Sequence, residues 1–445
     1  MREELEEILI FMQEKTPTEI IEDIDRFHPV DFLEMLSEMD DDPIRILEKL
    51  PNDYIALLID YAEDDEKYGI LSLFSEKRKG KIIDEMSSDE LVDLLGSIDE
   101  EQKEAIILNM ADEDAQEVKE LLGYDTDSAG GIMATEFIAI KEAMTISETI
   151  DFLRTKAPDS ETPYYIYVLD DNEVLKGVVA LRDIIVSDPH TLISEIMNEN
   201  TISIPIDMDQ ETVSNTFEKY GFMAMPVVDS SGIMQGIITA DDVMEIIKDE
   251  YTEDMFRLAG LDETEKLSGS IPRAVKSRLP WLLVNLVTAI LAAATVGLFE
   301  GTIVRIVALA TFMPIVAGMG GNAGTQTLTL VIRGIALGEL TFENQREVLI
   351  KEAAIGIING LCLGLIVAGL GYFWVQNAYF GLVIGVAMFL NLFIAAVSGF
   401  FIPIMLRKIG IDPALASAVF VTTVTDVLGF FFFLGFATLM ITYLI

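Results

Sequence analysis

Apolar and polar positions follow three different rhythms along the 445 residues. Over residues 1–125, apolar side chains recur at spacings of three and four within short segments such as HPVDFLEMLSEM, DDPIRILEKLP and SSDELVDLLGSI, the period of an amphipathic helix. Asp, Ser or Pro stands at each start, a helix-opening signal, so a small superhelical array of helices is expected there. From Pro280 onward the rhythm is replaced by long apolar runs at 281–299, 306–332, 353–375, 382–406 and 414–444. Each approaches or exceeds the roughly 20 residues, at about 1.5 Å rise, that cross a bilayer as a helix. Five membrane-spanning helices are predicted.

Between these regions the chain repeats itself. YYIYVLDDNEVLKGVVALRDII aligns with FMAMPVVDSSGIMQGIITADDVM at an offset of 59, pairing Val168 with Val227, Asp170 with Asp229, Gly177 with Gly236 and Asp183 with Asp242. Upstream, Met133 and Ile140 match Met197 and Ile204 at an offset of 64, and the five extra residues fall in KAPDSETP. Each copy reads as strand, helix, strand, strand, helix. The expected layout is an acidic helical domain at 1–125, a tandem repeat at 126–248, a charged connecting helix at 249–279 containing DEYTEDMFRLAGLDETEKL, and a membrane domain at 280–445.

Charge sharpens this division. Residues 280–445 hold 7 acids and 6 bases, whereas residues 1–279 hold 67 acids and 24 bases, so nearly all of the net charge of −44 lies in the first part. If that part is cytoplasmic, Arg273, Lys276, Arg278, Arg333, Arg346, Lys351, Arg407 and Lys408 flank the spans on the inside and Arg305 alone on the outside. That asymmetry predicts the N-terminus inside and, after five spans, the C-terminus outside the cell membrane. The start MREELEEILIFMQEKTP lacks a basic segment followed by an apolar one, so no cleavable signal is expected. A single cysteine, Cys362, permits no intrachain disulfide, and no nucleic-acid partner is expected.

Two membrane stretches carry candidate chemistry. VTTVTDVLGFFFFLGF places Asp426 as the only charge between Pro413 and Ile445. A carboxylate at mid-bilayer costs at least about 2.5–3.5 kcal/mol, so it should face water, take a proton or meet a cation. With no Lys or Arg on the same span, a solvated metal is the simplest partner. Mg2+ keeps its waters and is held through one or two carboxylates. In the second stretch, PIVAGMGGNAGTQTLTLVIRG, the residues Gly318, Gly320, Gly321 and Gly324, with Ala317 and Ala323, leave a helix face nearly bare. Close helix packing accounts for the glycines. It accounts poorly for Asn322, Thr325 and Gln326, which point instead to a polar passage. Asn322 lies 11 residues from Arg333 and Asp426 lies 13 from Pro413, or roughly 17 and 20 Å along their helices, so the two are expected at similar depth.

The repeat resembles a tandem CBS pair, most closely in its second copy, where Gly236, Thr239 and Asp242 form the Gly-h-h-Thr-x-x-Asp run; the first copy has Ala180 in place of Thr. That resemblance makes Tyr165, Arg182, Asp183 and Phe222 candidate contacts for an adenine nucleotide such as ATP, against the plainer role of Asp183 and Asp242 as helix caps. GGNAGTQTLTLVIRGIALGEL and DPALASAVFVTTVTDVLGF, with the order of domains, resemble the MgtE family of magnesium channels. The resemblance implies a multidomain membrane protein: an all-α domain of five transmembrane helices, a cytoplasmic α-superhelical N-domain and an α/β CBS pair. It also implies a homodimer in lipid, with Asp426 binding hydrated Mg2+ on the dimer axis and Gly320, Gly321, Asn322, Gly324 and Thr325 contributing to the filter. Closure by cytosolic Mg2+ is expected to use the acids Asp89 and Asp93, four apart on one helix face, with Asp241, Asp242, Glu245, Asp249, Glu250 and Asp254 near the connector. For any one of these taken alone, a solvated surface acid is the simpler account.

Rival functions are narrowed by what the chain lacks. His28 and His190 are its only histidines, which excludes an intramembrane zinc protease built on His-Glu-x-x-His, and no phosphate loop of the Gly-x-x-x-x-Gly-Lys-Ser/Thr kind is present. No enzymatic activity is expected. A lone Asp argues against a chloride path. An ion-coupled carrier of Mg2+, Mn2+ or Co2+ is not separated from a channel by sequence, and neither is selectivity among such ions. A membrane-anchored nucleotide or Mg2+ sensor would have no use for a charge in lipid.

Overall fold

A computed structural model describes every residue except 1, 40–42, 157–159, 161, 263, 264, 266 and 268. The chain forms two units, Met1–Ile246 and Ile247–Ile445.

The first unit opens with short helices: α1 (Arg2–Glu14), α2 (Pro17–Asp23), α3 (Pro29–Glu38), α4 (Ile44–Leu47), α5 (Asn52–Asp60), α6 (Asp64–Ser72), α7 (Glu76–Ile83), α8 (Ser88–Gly96), α9 (Glu100–Ile107) and α10 (Asp112–Leu121). The starts of α2, α3 and α9 satisfy free backbone N–H groups locally. Thr16 and Glu19 form a capping box at α2, as do Asp99 and Gln102 at α9, and His28 accepts from Val30 N at the start of α3. The apolar faces meet in one core that includes Phe32, Ile55, Leu58, Ile59 and Leu94.

Each repeat then builds a three-stranded sheet. In the first, β1 (Ala139–Lys141) lies parallel to β2 (Tyr165–Leu169), which pairs antiparallel with β3 (Leu175–Ala180), with α11 (Ile146–Lys156) and α12 (Leu181–Val186) as its helices. After α13 (Ile193–Ile196), the second repeats this with β4 (Ile204–Pro205), α14 (Gln210–Tyr220), β5 (Ala224–Val228), β6 (Met234–Thr239) and α15 (Ala240–Leu258). The copies exchange their leading segments. Ala134 and Ile237 trade both backbone hydrogen bonds at 2.8 Å, and Val178 and Asn198 do the same at 3.1 and 2.9 Å. Both crossing points are tight: a Cβ on Gly236 would stand 2.6 Å from the Ala134 carbonyl oxygen beside Met133, and one on Gly177 would stand 3.0 Å from the Asn198 carbonyl oxygen beside the Met197 sulfur. The matched Met and Gly positions of the repeat are therefore one contact made twice.

In the second unit, α16 (Ile271–Gly297), α17 (Glu300–Arg305), α18 (Ala308–Ala336), α19 (Gln345–Val375), α20 (Ala378–Lys408), α21 (Pro413–Leu439) and α22 (Ile441–Leu444) follow the end of α15. By length and apolarity α16, α19, α20 and most of α21 can cross a membrane. The fifth long helix, α18, has 29 residues, but its Gly, Asn, Thr and Gln side chains dilute its hydropathy. The chain is thus a multi-pass membrane protein with five long helices in this domain. Helices α19 and α20 approach through glycine: Gly356 faces Ala396, Gly360 faces Phe389, and Gly364 meets the Gly385 carbonyl. A Cβ on Gly385 would stand 2.8 Å from that of Ala368 and 2.9 Å from the Gly364 oxygen. Gly385→Val is therefore expected to cost about 1–3 kcal/mol through overpacking, visible as earlier thermal unfolding in detergent; an unchanged melting curve would refute this packing.

Candidate functional site

Helices α18 and α21 run antiparallel. Gly324 lies against Val421, Gly321 against Thr422, and further along Gly320 and Gly429 both abut Asn391 of α20. Asp426 falls within this stretch of α21, at the level of the glycine segment. The threonines around it are satisfied within their own helix: Thr422 donates to Ala418 O at 2.8 Å, Thr423 to Val419 O at 2.6 Å, and Thr425 to Thr422 O at 3.0 Å. Asp426 differs from them. It is half-buried, and among the described residues no hydrogen bond or ion pair reaches its carboxylate.

On α18, Gly320 and Gly324 are buried against neighbouring helices, Gly321 is half-buried, and Asn322 and Thr325 are exposed. The exposed positions continue as a stripe through Thr311, Gly318, Asn322, Gln326, Thr329 and Arg333. Along it an open groove of about 410 Å³ is lined by Thr325, Gln326, Thr329, Leu330 and Arg333. A polar helix face at membrane depth requires water or another chain over it.

Among the buried polar residues of this domain that were not singled out in the sequence, two keep an unpartnered oxygen. Asn391 of α20 is fully buried and donates to Val316 O at 2.8 Å, while its Oδ1 has no hydrogen-bond partner. Glu352 of α19 is 3% exposed and accepts from Thr327 Oγ1 at 3.1 Å, and its Oε1 is likewise unpartnered. Asn391 was detectable as an amide inside an apolar run. Glu352 was hidden beside Lys351, where the pair reads as a solvated flank.

In the first unit, Asp89 and Asp242 belong to one carboxylate cluster with Asp60, Glu90 and Glu136, and the buried Lys67 acts on Asp60 and Glu90. Lys67 Nζ lies 2.8 Å from Glu90 Oε2. Glu136 accepts from Ser88 N at 3.0 Å and from Ser88 Oγ at 2.9 Å. Burial, then the charge of Asp89, raises Asp60 to about 7. Burial also raises Glu90 to about 8, with Asp60 and Asp89 adding to the shift against Lys67. Asp242 rises to about 6 through burial and Asp89, although Thr239 donates to it from both N and Oγ1. Asp89 is raised chiefly by burial. Asp93, Asp241 and Glu245 are exposed.

Carboxyl groups with raised folded pKa values bind protons more tightly than the unfolded chain does. Stability is then greatest below the ordinary carboxylate range and falls as pH rises through about 6 to 8. Residues 1–246 in chelator are expected to melt several degrees lower, about 2–4 °C per kcal/mol lost, at pH 8 than at pH 6. Circular dichroism would test this, and equal midpoints would show that the cluster is solvated.

In the second unit, the last turns of α15 lie against the start of α21. Arg257 pairs with both Glu253 and Asp412, and Asp412 Oδ1 caps α21 by accepting from Ala414 N at 2.7 Å. Leu258 packs against the apolar cluster formed by Leu328, Ile332, Ala414 and Val421. Asp254 is raised to about 6 by burial and then by Asp412 and Glu250. Asp249 is exposed and Glu250 half-buried. Among the described residues, no group of three or more His, Cys, Asp or Glu side chains is drawn tightly enough together to hold a metal.

Of the candidate nucleotide contacts, Tyr165 pairs with Ala180 at the end of the first sheet, beside Arg182 and Asp183, whose side chains lie 3.3 Å apart. Phe222 stacks on Tyr220 in the second copy, and no hydrogen bond, ion pair or ring contact joins it to the other three. Asp183 makes no cap hydrogen bond, whereas Asp242 does.

Fold and site define a multi-pass membrane protein with an unpaired carboxylate in its helical bundle, a CBS pair and an acidic helical domain. Family models match in the same order: the MgtE intracellular N domain at 27–127, CBS domains at 129–188 and 193–249, and the MgtE divalent cation transporter at 313–436. The magnesium transporter MgtE of Thermus thermophilus is 39% identical over 327 residues, covering 73% of this chain and 72% of that one. Its counterpart from Enterococcus faecalis is 37% identical over 333 residues, covering 75% and 73%. A solved cytosolic domain of the Mg2+ channel MgtE in complex with ATP is 36% identical and superimposes with a TM-score of 0.51, covering 55% of this chain and 100% of that one. This chain belongs to the MgtE family.

Proposed function

We propose that the protein carries Mg2+ across the cell membrane as a channel, passing the hydrated ion down its electrochemical gradient, and that cytosolic Mg2+ closes it. The observation that carries this reading is Asp426, a carboxylate without a protein partner at the level of the glycine segment of α18. Such a group attracts a dication that keeps its own water, and the neighbouring backbone and Asn322 and Thr325 offer that water oxygen acceptors. The uncovered polar stripe of α18 supports a homodimer with the path on its two-fold axis, where two Asp426 side chains would balance one dication. The N-terminus is placed in the cytoplasm and the C-terminus outside.

Closure is assigned to Mg2+ held by carboxylates of the soluble half, with Asp89, Asp93, Asp241, Asp242, Glu245, Asp249, Glu250 and Asp254 as the candidate ligands. Charge that repels itself opposes compaction, and a bound dication removes the repulsion. The CBS pair is assigned ATP at Tyr165, Arg182, Asp183 and Phe222, supported by the relative solved with that nucleotide.

The decisive measurement is current through single molecules in a bilayer under a Mg2+ gradient. Unitary openings that vanish when Mg2+ is raised on the soluble-domain side are expected. Flux without unitary current, dependent on a Na+ or H+ gradient, would make the protein a coupled carrier. No flux at all would leave a membrane-anchored sensor.

A further inference from the structure

We propose that Asn391 and Glu352 are positioning residues for ion discrimination, holding the glycine segment of α18 rigid from both ends so that the path keeps a fixed width. The inference rests on the assignment of that segment as a wall of the path.

Between Val316 and Thr327, α18 carries Gly318, Gly320, Gly321 and Gly324. Glycine in a helix interior costs about 1 kcal/mol relative to alanine and offers no side chain to pack, so such a segment cannot fix its own shape. The two buried hydrogen bonds fall at its ends. Asn391 Nδ2 donates to Val316 O at 2.8 Å, and Thr327 Oγ1 donates to Glu352 Oε2 at 3.1 Å. These anchor points are eleven residues apart, about 16 Å along the helix. Both anchors come from α19 and α20, the pair locked together by glycine contacts.

Asn391 does more than donate to one end of the segment. A Cβ on Gly320 would stand 2.9 Å from its Cγ, and one on Gly429 would stand 2.8 Å from its Nδ2. The amide therefore acts as the spacer between α18 and α21, one turn from Asp426. Stability alone does not explain these side chains, because each keeps a buried oxygen without a hydrogen bond. An apolar side chain of the same shape would avoid that desolvation cost. What the polar atoms add is a fixed attachment of the α18 backbone, and a rigid wall discriminates dications by size where an adaptable one would not. Mg2+ and Ca2+ differ in this respect, binding oxygen at about 2.0–2.1 and 2.3–2.6 Å.

The test uses the full chain in liposomes, with Mg2+ and Ca2+ influx measured separately and folding followed by thermal unfolding in detergent. Asn391→Leu nearly conserves volume and removes both the donor and the orphan oxygen. Glu352→Leu removes the acceptor for Thr327, and Glu352→Gln retains one. The expected result is a roughly tenfold fall in the Mg2+ to Ca2+ influx ratio for each Leu variant, about the factor one net hydrogen bond is worth, with melting near wild type and recovery of the ratio in Glu352→Gln. Should Asn391→Leu not fold, Asn391→Ala with Gly429→Ala refills the space without the amide, and the same fall is expected. Wild-type ratios in the folded Leu variants would overturn the inference. Asp426→Asn, run alongside, separates the two levels: normal flux there removes the path assignment itself, whereas blocked flux there with unchanged ratios in the Leu variants removes only the positioning role.

Discussion

Asp426→Asn is expected to lower Mg2+ influx into liposomes by about a hundredfold while leaving the membrane domain folded, and Asp426→Ala to do the same. The substitution conserves shape and removes only charge. Because no hydrogen bond or ion pair from the described residues reaches this carboxylate, none of them is stranded when it is neutralised. Stability should even rise slightly, since an amide is cheaper than a carboxylate in a low-dielectric setting. Loss of flux with preserved or improved melting is therefore the signature of a group kept for the ion and not for the fold. On a two-fold axis the change would count twice, removing both charges that face the dication. Near-normal flux in both variants would show that hydrated Mg2+ passes without this carboxylate, and the mechanism would have to be rebuilt on the backbone of α18 alone.

How far the sequence anticipates this structure depends on whether a feature is written in one dimension. The apolar runs of α16, α19, α20 and α21 declare themselves because a bilayer constrains every consecutive residue. The repeat is legible because Val168, Gly177 and Asp183 recur as Val227, Gly236 and Asp242, and the structure builds strand, helix, strand, strand, helix from each copy. The reciprocal exchange of Met133 and Met197 onto Gly236 and Gly177 is not legible, since a matched residue pair does not say which copy it touches. Glu352 shows the same limit. Lys351 and Glu352 read as one charged flank, yet a helix turns about 100° per residue, so Lys351 faces outward and Glu352 is buried against Thr327. Helix α18 lies between these cases, its length evident but its apolarity diluted by the same polar residues that make it a candidate wall.

Replacing exposed acids Asp93, Asp241, Glu245 and Asp249 with their amides is expected to raise the internal Mg2+ needed for half-closure by about tenfold or more, leaving current flowing at concentrations that silence the wild type. The choice of residues matters because two effects oppose each other in the soluble half. Neutralising the half-buried Asp89 or Asp242 would remove a metal ligand but also relieve the repulsion that, after burial, helps raise Asp60 to about 7 and Asp242 to about 6, so closure could strengthen without any ion. At the exposed positions solvent and salt already screen repulsion over roughly 10 Å, and chiefly the ligand is lost. Arg257→Ala supplies the complementary break. Helix α15 carries Asp241 and Asp242 in its first turn and Arg257 in its last, where that guanidinium holds Asp412 at the cap of the helix bearing Asp426. With the latch removed, Mg2+ should still protect residues 1–246 from protease while current no longer falls. If the four-amide variant closes at the wild-type Mg2+ concentration, the carboxylates are a solvated surface and the sensor lies elsewhere. If Arg257→Ala closes normally, the signal does not reach α21 through this ion pair.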